Sequence, residues 1–174
     1  DVLAVSKYLG IEGTSIIAHE KKEVKEILSK EEYEFAKALS KEISVLKESK
    51  IAGKYGVKHM HDITEGGLFG AVWETSKALG HGIRIFADTI PLLDVTKKIS
   101  DFYKINPMKL ISSGSMLMVF DRENFDDFKE EAEASGIKVT KIGEINNEKQ
   151  AVVKYEDREI ILQDPDPDEL YKVV

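Results

Sequence analysis

Cysteine is absent from this 174-residue chain. Its absence excludes disulfides, thiolate nucleophiles and zinc–thiolate centres, and makes a reducing compartment, the cytoplasm, the expected setting. Only 4 prolines and 12 glycines are present, too few for a low-complexity or fibrous chain. No apolar run approaches the ~20 residues that cross a bilayer, and no secretory leader is visible, so no membrane association is expected. A basic excess is also missing. The net charge is −7, and the lysines alternate with acids along the helical stretches, which argues against a nucleic-acid face. There is no Gly-Lys-Ser or Gly-Lys-Thr, hence no Walker loop, and no legible Ser-His-Asp spacing. What remains is 42% apolar and 33% charged residues, the composition of one globular domain able to bury a full core. Asp1-Val2-Leu3-Ala4-Val5-Ser6 already reads as a strand, so the expectation is part of a longer protein.

Strand and helix patterns alternate along the chain. After the opening strand, Gly10 and Gly13 punctuate the approach to a short helix at about 14–21. Ser29 and Glu32 form a capping-box pair, and Phe35, Leu39, Ile43 and Leu46 repeat at helical spacing, predicting one long amphipathic helix up to Gly53. A strand at 57–60, a helix at 65–79 and a strand at 83–86 follow, then a helix at 94–103 and a strand at 116–120. Asp121 is placed to cap a helix bearing Phe125, Phe128 and Ala132, closed by Gly136 ahead of Ile137-Lys138-Val139. A hairpin pairs 150–154 with 159–162, and residues 164–174 form an acidic, proline-rich tail that cannot continue a sheet. The class is α+β over residues 1–163, a layered mixed or antiparallel sheet with helices packed on one face.

Chemistry concentrates at His61-Asp62-Ile63-Thr64-Glu65-Gly66-Gly67-Leu68. Gly66 and Gly67 fall where a strand passes into a helix, and without a Cβ they allow ligand oxygens close to unpaired helix-start N–H groups. Two readings stay open there. The loop is either an anion cradle, or Asp62 and Glu65 are a helix cap and the glycines serve close packing. Asp62 and Glu65 offer hard oxygens that suit magnesium shared with a phosphate, and a phosphate beside Glu65 needs such a cation. His59, His61 and Asp62 have a spacing that can bind a transition metal, but a further ligand is needed and only His19 and His81 remain. Ser112-Ser113-Gly114-Ser115 is a second small-residue loop, able to bind an oxyanion and equally an ordinary turn.

The octet 61–68, then Ile90-Pro91, Ser112-Ser113-Gly114, Gly136-Ile137 and Ile142-Gly143-Glu144-Ile145, in that order, resembles the C-terminal domain of the aminoimidazole ribonucleotide synthetase-like (PurM-like) superfamily. Its members include selenophosphate synthetase, thiamine-monophosphate kinase and the hydrogenase maturation protein HypE. The resemblance implies a domain that packs against an N-terminal domain absent from this chain. ATP and magnesium would bind largely on that other domain, in a cleft between the two, and the full-length protein would be a homodimer. The implied chemistry is ATP-dependent activation of an oxygen, or phosphoryl transfer, on a small phosphorylated substrate. By the same resemblance Asp62, Thr64, Gly66 and Gly67 line the cleft, with Ser113 and Gly114 near it, and magnesium falls to Asp62 and Glu65. The C-terminal cysteine of HypE is missing, and the chain ends Tyr171-Lys172-Val173-Val174, which points to a HypE-related protein with a different role. The isolated domain is then expected to be inactive; the alternative is a non-catalytic module of the same fold that binds a small molecule or a protein.

Overall fold

The computed structural model describes residues 1–174. Seven strands form one sheet in the order β2-β4-β1-β5-β3-β6-β7. They are β1 (Val2–Ser6), β2 (His59–Asp62), β3 (Gly82–Phe86), β4 (Met116–Phe120), β5 (Val139–Asn146), β6 (Ala151–Lys154) and β7 (Glu159–Ile161). Five of the six pairings are antiparallel and only β3 with β6 is parallel. The helices are α1 (Ile11–Glu20), α2 (Lys30–Ala38), α3 (Leu46–Lys54), α4 (Gly67–Leu79), α5 (Asp94–Tyr103) and α6 (Arg122–Ala134).

The α+β class and the mixed sheet match the sequence reading, but helices cover both faces rather than one. The reason is visible in β1 and β4, where every residue is buried. An unbroken apolar run needs cover on both sides, whereas a half-solvated strand alternates. Leu3, Val5, Leu117 and Val119 point toward α4 in one core. Val2, Ala4, Met118 and Phe120 point into a second core closed by α3 and α6, where the Phe120 and Phe128 rings stack 4.4 Å apart. A third cluster joins α1, α2 and α5.

The long helix expected over 29–53 is broken. The Ser29–Glu32 capping box forms as expected, but α2 passes into a 3₁₀ turn at Leu39–Glu42 and the chain restarts as α3. Ala36 and Leu39 bury in the third cluster while Ile51 and Ala52 bury in the second, and one straight helix cannot face both. Phe35, Ile43 and Leu46 are left exposed as a result. Lys7 stitches the break: its Nζ donates to the carbonyls of Glu42 at 3.0 Å and Ser44 at 2.7 Å, groups that a helix end leaves without partners.

Candidate functional site

Strand β2 and the turn after it hold the motif. β2 runs antiparallel to β4, with Asp62 opposite Met116, two residues beyond the strand expected from the sequence. Alternation sends His59 and His61 to one face, toward α4. His59 Nε2 lies 3.3 Å from the Thr75 hydroxyl. His61 Nε2 lies 2.7 Å from the Glu74 carboxylate, and its Nδ1 2.7 Å from the carbonyl of Asp62. The histidines therefore tie the strand to the helix. No group of three or more His, Asp or Glu side chains is arranged to hold a metal ion. Burial, then the neighbouring His61, lowers the pKa of His59.

Asp62 stands in a crowded field. Burial raises its pKa first. His61 pulls it down, Glu12 and Glu48 push it up again, and Lys7 partly offsets them. A carboxyl whose pKa is raised by folding contributes stability below its unfolded value, near pH 4, and loses it as pH rises through the folded value. Ionised Asp62 thus costs stability at neutral pH. Asp62→Asn is expected to raise the thermal midpoint slightly at pH 7, with the gain vanishing toward pH 4, as measured by calorimetry across that range.

The turn itself closes through the Gly67 N–H, which donates to the Thr64 carbonyl at 3.1 Å. Gly66 and Gly67 both take left-handed backbone, at φ 80° and 60°. Gly66 precedes the first turn of α4 rather than lying in it, and no side chain caps the helix, so the Asp62/Glu65 capping reading does not hold. At Gly67 a Cβ would sit 2.7 Å from the carbonyl oxygen of Leu110 and 2.8 Å from that of Met108. This glycine is required by backbone packing.

The N–H of Gly66 already has a partner. Gly66 N–H donates to Asp168 Oδ2 at 2.7 Å. The other oxygen, Oδ1, accepts from Ile111 N–H at 3.1 Å and Leu170 N–H at 2.9 Å. Asp168 is only 2% exposed. Pro165 rests against Gly66 and Gly70, Lys109 pairs with Asp166 at 2.7 Å, and the Tyr171 hydroxyl donates to Glu65 at 3.0 Å, which raises the tyrosine pKa. The segment after residue 163 is docked, with Leu170 and Val173 packed on the third cluster. Between it, α4 and the β6–β7 hairpin lies a cavity of about 440 Å³ lined by Gly66, Lys109, Tyr155 and Arg158, but by neither Asp62 nor Thr64.

In the Ser112–Ser115 loop the hydrogen bonds fall on the outer serines, whereas the family resemblance singled out Ser113 and Gly114. The Ser112 hydroxyl accepts from Gly10 N–H at 2.8 Å and donates to Ser115 at 3.2 Å, and Ser115 donates to the Tyr8 carbonyl. Gly114, at φ 102°, presses on the Glu42–Ile43 backbone. The expected residues therefore fall into three places: Asp62 in the field of Lys7, Glu12 and Glu48, Gly66 under the docked C-terminal segment, and Gly114 against the 3₁₀ turn. Glu74 and Asp168 carry no local signal, because each is defined by a partner distant in sequence.

A mixed seven-stranded sheet with helices on both faces makes this a domain of α+β class. Residues 1–156 match the family described as AIR synthase related protein, C-terminal domain, and the chain belongs to that family. A Methanocaldococcus jannaschii protein named for hydrogenase expression and formation is 26% identical over 127 residues, which is 71% of this chain and 35% of that protein. Escherichia coli HypE, a hydrogenase maturation protein, superposes with a TM-score of 0.79 at 19% identity, covering 99% of this chain and 52% of HypE. A thiamine-monophosphate kinase from Stenotrophomonas maltophilia gives a TM-score of 0.72 at 14% identity, over 88% of this chain and 50% of the kinase. The chain thus spans about half of these solved structures and about a third of the archaeal relative. No helix is long and apolar enough to cross a membrane.

Proposed function

We propose that this domain supplies one wall of an ATP-dependent site whose other wall is an N-terminal domain, in a HypE-related protein that acts as a homodimer on a small phosphorylated substrate. The observation that carries the reading is the position of Asp62, exposed at the end of β2 and at the head of the glycine turn. The residue is exposed overall, and partial desolvation of its carboxyl, opposed by His61 and Lys7 and reinforced by Glu12 and Glu48, raises its pKa. Such a carboxylate favours a divalent cation as neighbour. Asp62 fits magnesium as a hard oxygen ligand, with Glu65 the second candidate, although Glu65 now accepts the Tyr171 hydroxyl. The remaining ligands would come from phosphate oxygens and the other domain. Bound magnesium would neutralise charge developing on a transferred phosphate. Thr64, Gly66 and Gly67 shape the turn beside it, and Ser113 and Gly114 border the adjoining loop.

In the full-length protein, Asp62→Asn is expected to lower magnesium-dependent ATP turnover at least tenfold without loss of fold, a scale ordinary for removal of one charge-stabilising group. Unchanged turnover, measured as phosphate release over a magnesium titration, would sink the role of Asp62. A second reading, a non-catalytic binding module, draws support from Asp168 seated on the Gly66 N–H. It predicts ligand binding with no turnover in the wild-type protein.

A further inference from the structure

A second cavity, of about 570 Å³, opens between the α2–α3 break and the start of β5. Lys7, Lys41, Lys47 and Lys138 line it, against Glu42 and Glu48. This concentration of ammonium groups occurs in a chain of net charge −7. Lysines at 37, 54, 58, 97, 98, 109, 129 and 172 sit in ion pairs with carboxylates, whereas others on the surface, such as Lys21 and Lys50, stand alone; what sets the cavity lysines apart is that they converge on one concavity. Three of the cavity lysines have no carboxylate partner. Lys41 has no hydrogen bond or ion pair, Lys47 donates only to the Ser135 carbonyl, and Lys138 lies over the Tyr8 ring, 4.5 Å from its centroid. Phe35, 49% exposed on the wall, supplies a second aromatic surface.

The cavity also holds a buried group without a complete set of partners. Glu48 is 1% exposed. Its Oε1 accepts from the Ser6 hydroxyl at 3.0 Å and meets Lys7 Nζ at 3.2 Å, while Oε2 is buried without a hydrogen bond. A buried carboxylate oxygen left so is costly, and buried polar atoms in native folds nearly always have partners. Lys7, whose ammonium holds Glu48 and the two carbonyls of the helix break, takes left-handed backbone at φ 53°. Strain of this kind in a non-glycine residue marks a position over-determined by its surroundings.

We infer that this cavity is a binding site for a planar organic anion carrying an N–H donor. Its phosphate or carboxylate would sit among Lys41, Lys47 and Lys138, its flat body against Phe35 and Tyr8, and its N–H on the Glu48 side of the cavity. The volume lies in the range of ordinary small-molecule pockets, and the mixture of aromatic surface with a few placed polar groups is the usual composition of such sites. The cavity adjoins the Asp62 environment, since Lys7 and Glu48 also act on the Asp62 carboxyl, but the assignment gives no ligand role to Asp62 or to the 61–68 turn.

The test uses the 174-residue chain, isotopically labelled for amide NMR, titrated separately with AMP and with 4-aminobenzoate. These probes distinguish a phosphate from a carboxylate as the anionic group. Saturable shifts confined to residues 35–48 and 135–138 with either probe support the site. The double variant Lys41→Glu/Lys138→Glu should then weaken binding at least tenfold, and Phe35→Ser about fivefold, as loss of one stacking surface implies. Benzoate, which lacks the N–H donor, should bind more weakly than 4-aminobenzoate. Lys41 and Phe35 are exposed, so these variants should keep the wild-type amide spectrum. The proposal is overturned if neither probe gives saturable shifts there, if the lysine variant binds as the wild type does, or if ribose 5-phosphate produces the same shifts as AMP at the same affinity.

Discussion

Gly67→Val is expected to unfold the domain, or to bring it close to unfolding, well before any ligand is considered. Two penalties combine. The backbone at Gly67 has φ 60°, a region that β-branched residues almost never enter. The new Cβ would also meet the Leu110 and Met108 carbonyl oxygens and the Leu110 nitrogen within 2.8 Å. These are main-chain atoms, and they cannot swing aside as a side chain does. The combined loss should be on the order of 3–5 kcal/mol, the upper end for one substitution. Gly67→Ala should lose somewhat less, since it has the same Cβ without the branches. Urea denaturation reads both directly, and a wild-type midpoint for either variant would refute the packing role. Loss of ATP turnover in a Gly67 variant would therefore say nothing about phosphate binding, whereas Asp62→Asn leaves the backbone untouched.

Asp168→Ala should produce the second large effect. One carboxylate accepts three main-chain N–H groups, from Gly66, Ile111 and Leu170. Hydrogen bonds to a charged acceptor contribute roughly 1.5–3 kcal/mol each, and donors left buried without a partner add a penalty. Water reaching the opened site will recover part of this, so a net loss of about 2–4 kcal/mol is expected. The loss should be localised. Hydrogen exchange at Gly66 and Ile111 is expected to accelerate along with the amides after residue 163, while β1 and β4 stay protected. Asp168→Asn, which keeps one carbonyl acceptor, should fall between. Uniform loss of protection across the sheet would show that the segment is part of one cooperative unit rather than a separable cover.

The fold was legible where chemistry is local. The Ser29–Glu32 box, the α5 span, the β4 run and the closing hairpin all follow from spacing and turn residues. The break between α2 and α3 was not, because Phe35, Leu39, Ile43 and Leu46 keep helical period while the two halves answer to different cores. Two-sided cover of the sheet was present in the sequence all along, as unbroken apolar runs at 2–5 and 116–120. At the candidate site the glycines announced a tight approach, but not to what. At Gly67 the neighbour is backbone, and at Gly66 it is a carboxylate 102 positions later. A long-range partner of that kind leaves no trace in local pattern, and the same holds for the Glu74 contact to His61 and for the unpartnered oxygen of Glu48.

The position of the first strand has a kinetic consequence. β1 is flanked on both sides, by β4 and β5, so that Val2 faces Phe120 on one edge and Glu144 on the other. Nothing near Val2 in sequence can complete either ladder. A ribosome must release most of the chain before the sheet can close, and closing such long loops slows the search for the native pairing. Until then an apolar strand waits unpaired in the nascent protein, a stretch open to misassociation.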